Sequence, residues 1–533
     1  MQVQPSVRPS GLPTGSSAHD AFRRAAGFLG KSSLEKTSGW PIEGLALAAL
    51  LLVTTITRFV YRAGGPLWFD EVWTGMIAGE RSLSGFAHQC YLDVNAPLGY
   101  VVSWLWEPIG GLSNEGLRLP FIIFADLTPL IVLLPSRSIS LRERAIWAAL
   151  LACWLPGFVF ASEARCYSML LFLGAANTLA FAALLRSPGL RPALIWAAIS
   201  SLLVLTHYFA ATLVACQGAA YLIVCRKAAL RTWPALIAFI PAVAEMAVHV
   251  AVLKQFSTGV APVHVPPRWQ DLPDAFEFVA GGMSTILLLV GCLAVGLLHA
   301  AFERKKIRLE PSSGALSEGR LWIVPATALA SVVICVVAYE ICLAASLARP
   351  MLVVRYFTAA TPGVMLGVAL IIKKIGDLWR PLPAVMIGTL GVAVLMLLGS
   401  GEPKQQPISF ERASEALMKA GVSRVEFFYD DRGAGGRDHE AFSKIGGFFF
   451  HRAGRPILTD AVFIKQGVDP SPVLLARAQG SGTAILWVYD TTVDGTAAVR
   501  FPPRISQIDP RWRCRDYGVL AAHALACVRA GAL

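Results

Sequence analysis

Hydrophobic positions in this chain fall in long, nearly unbroken runs rather than in alternation. Eleven runs, near 42–60, 119–135, 145–161, 166–185, 193–206, 208–225, 234–252, 275–300, 321–347, 356–372 and 382–399, occupy the first 400 residues. A helix of about 20 apolar residues is long enough to cross a hydrocarbon core about 30 Å thick. The pattern therefore predicts a polytopic α-helical membrane protein with about eleven transmembrane helices, some of them short for a straight crossing. One further run, Pro97–Leu112 ("PLGYVVSWLWEPIGGL"), is short, rich in Trp and interrupted by Glu107 and Pro108. It reads as a helix lying along the interface, where Trp is favoured.

After Ser400 the pattern changes. Gly401–Leu533 carries charges throughout, turn signals, a helix-like "ERASEALMKAG" and short β-like runs such as "RVEFFYD" and "TAILWVYD". Alternating α and β patterns predict a soluble α/β domain. The expected organisation is a disordered cytoplasmic arm over 1–41, a membrane domain over 42–400 with its first outer loop at 61–118, and the soluble domain over 401–533. No cleavable signal peptide is evident. The glycine loop in "FYDDRGAGGRDHE" lacks a Rossmann or P-loop pattern and reads as a surface loop.

Composition agrees with the membrane reading. The 533 residues are 55% hydrophobic and only 15% charged, against about 25% charged in soluble domains. The net charge of +12 would suit nucleic acid, but the placement of the cations explains it otherwise. With the N-terminus inside and Pro97–Leu112 not spanning, inside segments hold about 21 Lys and Arg against about 8 outside, as the positive-inside rule requires. The soluble domain then lies outside, where Cys514 and Cys527 are a candidate disulfide. The other Cys show no metal-like spacing and lie mostly in or near apolar runs.

This topology collects unusual polar residues on one face. Asp70, Glu71 and Asp93 fall in the first outer loop, with Trp68 and Trp73 beside the first two. Glu163 and Arg165 fall at the second outer turn, His207 and Tyr208 at the third. Lys254, His264 and Arg268 fall in the fourth, and Arg349 and Arg355 in the fifth. Carboxylates mixed with cations suit transfer of a sugar from a lipid-linked phosphate to a hydroxyl. A carboxylate takes the acceptor proton, cations hold the departing phosphate, and the transition state resembles an oxocarbenium ion. Adjacent helical residues point about 100° apart, so Asp70 and Glu71 are not expected to share one job. One faces the acceptor while the other caps a helix, pairs with an Arg or binds a divalent ion. Asp70 precedes a helix-like run and is also a candidate N-cap. Trp68 and Trp73 suit either a membrane belt or stacking on a sugar ring.

In order, "WFDEVWTGMIA", "DVNAPLGYVVSWLW", "GLRLPFIIFA", "SEARCYSMLLF", "LTHYFAA" and "RYFTAATPG" resemble the polyprenyl-phosphate-sugar-dependent GT-C glycosyltransferases. That set includes protein O-mannosyltransferases, aminoarabinose transferases and rhizobial lipopolysaccharide glycosyltransferases. The resemblance covers about residues 42–372. It implies that Asp70 is the catalytic base, with Glu71 its companion and Asp93 the second acidic position. It implies that Arg165, Tyr167 and Arg355 lie near the donor phosphate and lipid. His207, Lys254 and Arg268 join them as candidate donor contacts; Trp68, Trp73, Asn95, Glu163 and Tyr208 are candidate acceptor or sugar contacts. The family usually reads D-x-H-P-P-L-x-Y, where this chain has "DVNAPLGY". Asn95 and Ala96 replace His and Pro, so a metal ligand or proton-shuttling His is lost there. A divalent metal ion stays open as a cofactor, with Glu71 and Asp93 as its candidate ligands.

The expected partners are a polyprenyl-phosphate-linked sugar, the bilayer, and an envelope acceptor: a lipopolysaccharide, polysaccharide, glycolipid or protein. The expected site is the outer face of a bacterial cytoplasmic membrane. A lipid-linked-sugar flippase or transporter is the main alternative; it calls for carboxylates at mid-membrane, whereas this sequence puts them at span ends. A non-catalytic membrane subunit is the other, and it would tolerate loss of Asp70.

Overall fold

The structure is a computed structural model. It describes residues 41–61, 63–259, 271–283, most of 285–302, 326–348, 353–376, 382–399, 410–431, 438–465, 472–473, 476, 483–490, 510–517 and 522–529. The expected N-terminal arm lies outside these residues, apart from Pro41.

Each apolar run contributes helix, most of them to within a few residues of the run, while the runs 145–161, 234–252 and 356–372 are each divided between two helical pieces. Helix α1 (Pro41–Tyr61) is followed by three helices of the 61–118 segment: α2 (Phe69–Ala78), α3 (Leu83–Leu92) and α4 (Leu98–Gly110). Then come α5 (Asn114–Ile131), α6 (Leu141–Ala152), α7 (Leu155–Ala161), α8 (Tyr167–Arg186), α9 (Leu190–Thr206) and α10 (Ala210–Cys225). Beyond them run α11 (Ile240–Gly259), α12 (Ala326–Ala348), α13 (Thr361–Gly376) and α14 (Leu382–Gly399).

Among the described residues, four helical stretches are long and apolar enough to cross a membrane: Glu43–Val60, Tyr167–Arg186, Trp233–Lys254 and Leu329–Leu347. The pair α6 and α7 makes a fifth if its 59° bend lies within one span. The expected count of about eleven is not reached by this measure. Proline is part of the reason, because it removes a helical N–H and clashes with the preceding turn. Pro156 sits in the first turn after the α6–α7 break, and α5 carries Pro120 and Pro129.

Pro97–Leu112 forms helix α4 over 13 residues, too short to cross a bilayer. Large apolar side chains such as Leu52, Ile223 and Met396 stay exposed on the bundle exterior. Several polar groups inside the bundle pair across helices. Arg58 bonds Asp126 at 2.7 Å and the Ala152 carbonyl at 2.6 Å, tying α1 to α5 and α6. Trp196, Gln217, Asn177 and Ser200 form a chain of hydrogen bonds, each donating to the next.

The C-terminal region holds the expected sheet. Helices α15 (Phe410–Lys419) and α16 (His439–Arg452) accompany strands β1 (Arg424–Asp431), β2 (Leu458–Lys465), β3 (Thr483–Asp490), β4 (Trp512–Asp516) and β5 (Ala522–Arg529). The order is β2-β1-β3-β5-β4. Strand β1 runs parallel to β2 and β3, with Phe427 opposite Ala461 and Leu486, while β5 is antiparallel to β3 and β4. Alternate strand residues point to opposite faces. Val425, Phe427, Ala461 and Leu486 face the helices, and Phe428, Val462, Ile485 and Trp487 form a core on the other side. A Cys514–Cys527 disulfide links β4 to β5.

This domain is docked on the 61–118 helices rather than tethered beside them. One core contains Val72, Met76 and Ile77 of α2 together with Phe410, Phe442, Phe448 and Phe449. Phe69 stacks on Tyr429 at 5.1 Å, and Trp73 meets Phe442 edge-on at 5.4 Å. Gly75 is required at the contact, because a Cβ there would lie 2.6 Å from Phe448 Cζ. Lys444–Glu80 and Arg452–Glu411 ion pairs border the interface, and Arg452 and Glu411 both bond Asn114.

Candidate active site

Helix α2 begins at Phe69 with Trp68 in the N-cap position. Asp70 is therefore the second helical residue, not the N-cap that the sequence allowed. The capping bond comes from Glu71, whose Oε2 accepts the Trp68 backbone N–H at 3.1 Å. Asp70 is 31% exposed, whereas Glu71 is fully buried. The 100° between neighbours thus separates the two carboxylates into an open one and an enclosed one.

Glu71 is saturated. Oε1 accepts Arg118 Nε and the Ala164 N–H, both at 2.7 Å; Oε2 accepts Arg118 NH2 at 2.7 Å besides the Trp68 N–H. Arg118, also fully buried, spends its remaining donors on the carbonyls of Ala63, Gly65 and Pro66. One buried ion pair thus fastens the chain leading into α2 to the turn that carries Glu163 and Arg165. Sequence reasoning gave Arg118 no role. Its signal was present, since an Arg at the head of the apolar α5 run is costly unless paired.

Arg165, only 7% exposed, places NH2 3.6 Å from Asp70 Oδ2 and donates NH1 to the Asp70 carbonyl at 3.4 Å. Arg355 arrives from the 3₁₀ turn Val354–Ala359. Its guanidinium lies over the rings of Tyr167 at 5.5 Å and Trp68 at 6.0 Å, a cation–π arrangement. His207, just after α9, has its ring 4.7 Å from Tyr356 and 6.0 Å from Tyr167. Burial, then Arg165 and Arg355, lower its pKa to about 3, so its imidazole is neutral.

Within this cluster Arg165 Nε, Arg355 Nε and His207 Nδ1 are buried without a hydrogen-bond partner. Buried polar groups are nearly always satisfied; the Nε atoms of Arg58 and Arg144 are likewise unpartnered elsewhere in the chain, so what sets this spot apart is that three such groups stand together. Glu163 joins the cluster from the same turn as Arg165. Burial first, then Glu71 and Asp70, raise its pKa to about 8 against the pull of Arg355 and Arg165. Its carboxyl is protonated at neutral pH.

Asp93 is also engaged. Oδ1 accepts the Val94 N–H at 2.8 Å, and Oδ2 accepts Asn95 Nδ2 at 3.0 Å and the Tyr100 hydroxyl. Asn95 thus anchors a carboxylate. With Glu71 holding four protein donors and Asp93 three, the two residues expected to hold a divalent ion do not fit one. Among the described residues no group of three or more His, Cys, Asp or Glu could hold a metal.

The remaining candidates sit elsewhere. Trp73 packs against Phe442 of the C-terminal domain. The Tyr208 hydroxyl bonds His249 Nδ1 at 2.7 Å, and His249 Nε2 pairs with the Tyr91 carbonyl at 3.1 Å. That ring therefore ties α11 to α3. Lys254 is exposed within α11 rather than in a loop. Arg268 and His264 lie outside the described residues. A cavity of about 660 Å³ lies between Arg81, Asn114 and the Glu411–Arg452 pair, away from all of these groups.

No protein-family model matches the sequence, and no curated protein does. Solved structures do match by fold. ArnT from Cupriavidus metallidurans in the apo state superposes with a TM-score of 0.51 at 13% identity, over 93% of this chain and 99% of that one. The same protein bound to undecaprenyl phosphate gives a TM-score of 0.47 at 13% identity, over 92% and 98%. The chain shares, over nearly its whole length, the overall fold of ArnT.

Proposed function

We propose that this chain is an integral membrane glycosyltransferase that moves a sugar from a polyprenyl-phosphate-linked donor to a hydroxyl of an envelope acceptor, on the outer face of the cytoplasmic membrane and with inversion. The carrying observation is the convergence of the orphaned donors of Arg165, Arg355 and His207 beside the partly exposed carboxylate of Asp70. The ArnT-like fold and the ordered motifs of the GT-C transferases support the same reading.

In this reading Asp70 accepts the proton of the acceptor hydroxyl as its oxygen attacks the anomeric carbon. The bond from that carbon to the phosphate oxygen breaks, and the phosphate leaves as an anion. Arg165 and Arg355 hold the departing charge, and neutral His207 donates a hydrogen bond. Direct displacement by one base opposite one leaving group inverts the anomeric carbon. Neutral Glu163 avoids adding a third negative charge beside Asp70 and the phosphate. No step passes through a metal ion.

Asp70→Asn preserves size and leaves the Glu71 cap intact, but an amide does not take the proton. General-base catalysis contributes about 10²–10⁴-fold. Turnover of a polyprenyl-phosphate-sugar by the purified protein should fall by that factor, with donor binding retained. Near-wild-type turnover, or a product of retained configuration, would refute the assignment. A flippase would instead move lipid-linked sugar across vesicles without forming a new glycosidic bond.

A further inference from the structure

We propose that Tyr100 is a positioning residue that sets the Arg165 guanidinium for the donor phosphate, and that Asp93 acts on the reaction only through Tyr100. This rests on the glycosyltransferase reading above and adds two residues to its working parts.

The geometry forms a chain of four groups. The Tyr100 hydroxyl has one proton, and it points at Asp93 Oδ2. Its oxygen then has lone pairs to offer. Arg165 NH1 donates to it at 3.3 Å and Asn95 Nδ2 at 3.4 Å. Arg165 in turn faces Asp70, through NH2 to the carboxylate and NH1 to the backbone carbonyl. Asp93 thus reaches Asp70 by way of a phenol and a guanidinium.

The arrangement is built in. Tyr100 is 4% exposed, and burial together with Asp93 raises its pKa well above the ordinary phenol value, so it stays a donor toward Asp93. Helix α4 lies close against the Glu163–Cys166 turn because residue 99 is glycine. A Cβ there would meet Cys166 Cβ at 2.9 Å. That close approach puts the next residue, Tyr100, within reach of Arg165.

An arginine with an unpartnered Nε swings about its long side chain unless something holds its far end. Here NH1 is held on the Tyr100–Asp93 side, so the orphaned Nε keeps one direction. A donor fixed before the ligand arrives costs less to organise on binding. Among the described residues Asp93 takes its hydrogen bonds from Val94, Asn95 and Tyr100, and from neither Asp70 nor Arg165.

The experiment compares the full-length wild type with Tyr100→Phe, Asp93→Asn and the double variant, purified in detergent. Affinity for a polyprenyl phosphate is measured by titration, with kcat and donor KM from sugar transfer. Loss of one hydrogen bond to a charged group predicts about tenfold weaker polyprenyl-phosphate affinity and a matching rise in donor KM in Tyr100→Phe, with acceptor KM unchanged. Asp93→Asn should shift the same constants in the same direction. The double variant should be no worse than Tyr100→Phe alone, because neighbours acting through one route are not additive.

Phe fills the same volume, and equal melting temperatures would set aside a folding defect. Where Tyr100→Phe does melt lower, non-additivity in donor affinity still decides the matter. Unchanged donor affinity in Tyr100→Phe overturns the proposal. So does an Asp93→Asn loss that persists in full on the Tyr100→Phe background, which would give Asp93 a direct role. A wild type that binds no polyprenyl phosphate would instead refute the glycosyltransferase reading itself.

Discussion

Replacing Glu71 by Gln keeps the shape of the side chain and removes its charge. In the structure that carboxylate accepts four hydrogen bonds at 2.7–3.1 Å and is the fully buried partner of a fully buried Arg118. The amide has one oxygen to accept with, and its NH₂ would face N–H donors across 2.7–3.1 Å. At least one donor pair then clashes, and Arg118 loses its counter-charge. Breaking a buried ion pair from one side costs about 3–5 kcal/mol, since the surviving charge stays buried. Whole proteins are stable by only about 5–15 kcal/mol, so Glu71→Gln should lower the melting temperature sharply in detergent, read by tryptophan fluorescence. Arg118→Met should cost comparably, and the double variant clearly less than the two costs together, because no uncompensated charge remains. The three carbonyls that Arg118 serves keep part of the penalty. Unfolding of Glu71→Gln within about 1 kcal/mol of wild type, combined with a deep loss of turnover, would refute this reasoning and make Glu71 a chemical group instead of a fastening.

Three further outcomes are expected. Arg355→Ala removes a guanidinium stacked on Tyr167 and Trp68; donor affinity should fall about tens- to thousands-fold, as for loss of a charged hydrogen bond of roughly 2–5 kcal/mol, and unchanged affinity would leave Arg355 an anchor. Glu163 binds its proton more tightly folded than unfolded, with a folded pKa of about 8 against 4.5. Its contribution to stability is present in acid and declines as pH rises from about 4.5 to 8, with a slope of at most about 1.4 kcal/mol per pH unit; Glu163→Gln should flatten that slope in pH-dependent melts. Gly75→Val forces a side chain against Phe448 and Leu117 and should loosen the C-terminal domain, seen as faster proteolytic release of the region after residue 409 while the domain keeps its disulfide.

By itself the sequence determined where apolar mass lies, because hydrocarbon selects long apolar runs whatever the tertiary contacts. It likewise determined the α/β character after Ser400, through local periodicity. It also singled out Asp70, Arg165 and Arg355 as candidates, because polar residues at the ends of apolar runs stand out in one dimension. Tertiary structure decided which carboxylate is open and which is enclosed. Asp70 and Glu71 are adjacent and chemically alike, and what distinguishes them comes largely from far along the chain: Arg118, 47 residues away, and the Ala164 N–H enclose Glu71, while Arg165 faces Asp70. The partners of Asp93, the docking of Trp73 on Phe442 and the turn of Tyr208 toward His249 were illegible for the same reason. The span count is not confirmed among the described residues where prolines and bends divide a run, because length in sequence measures helix only if the backbone hydrogen bonds continue. A side chain's type can be read from the chain, but its vacancy cannot: whether an oxygen or a guanidinium is free depends on what distant segments bring against it.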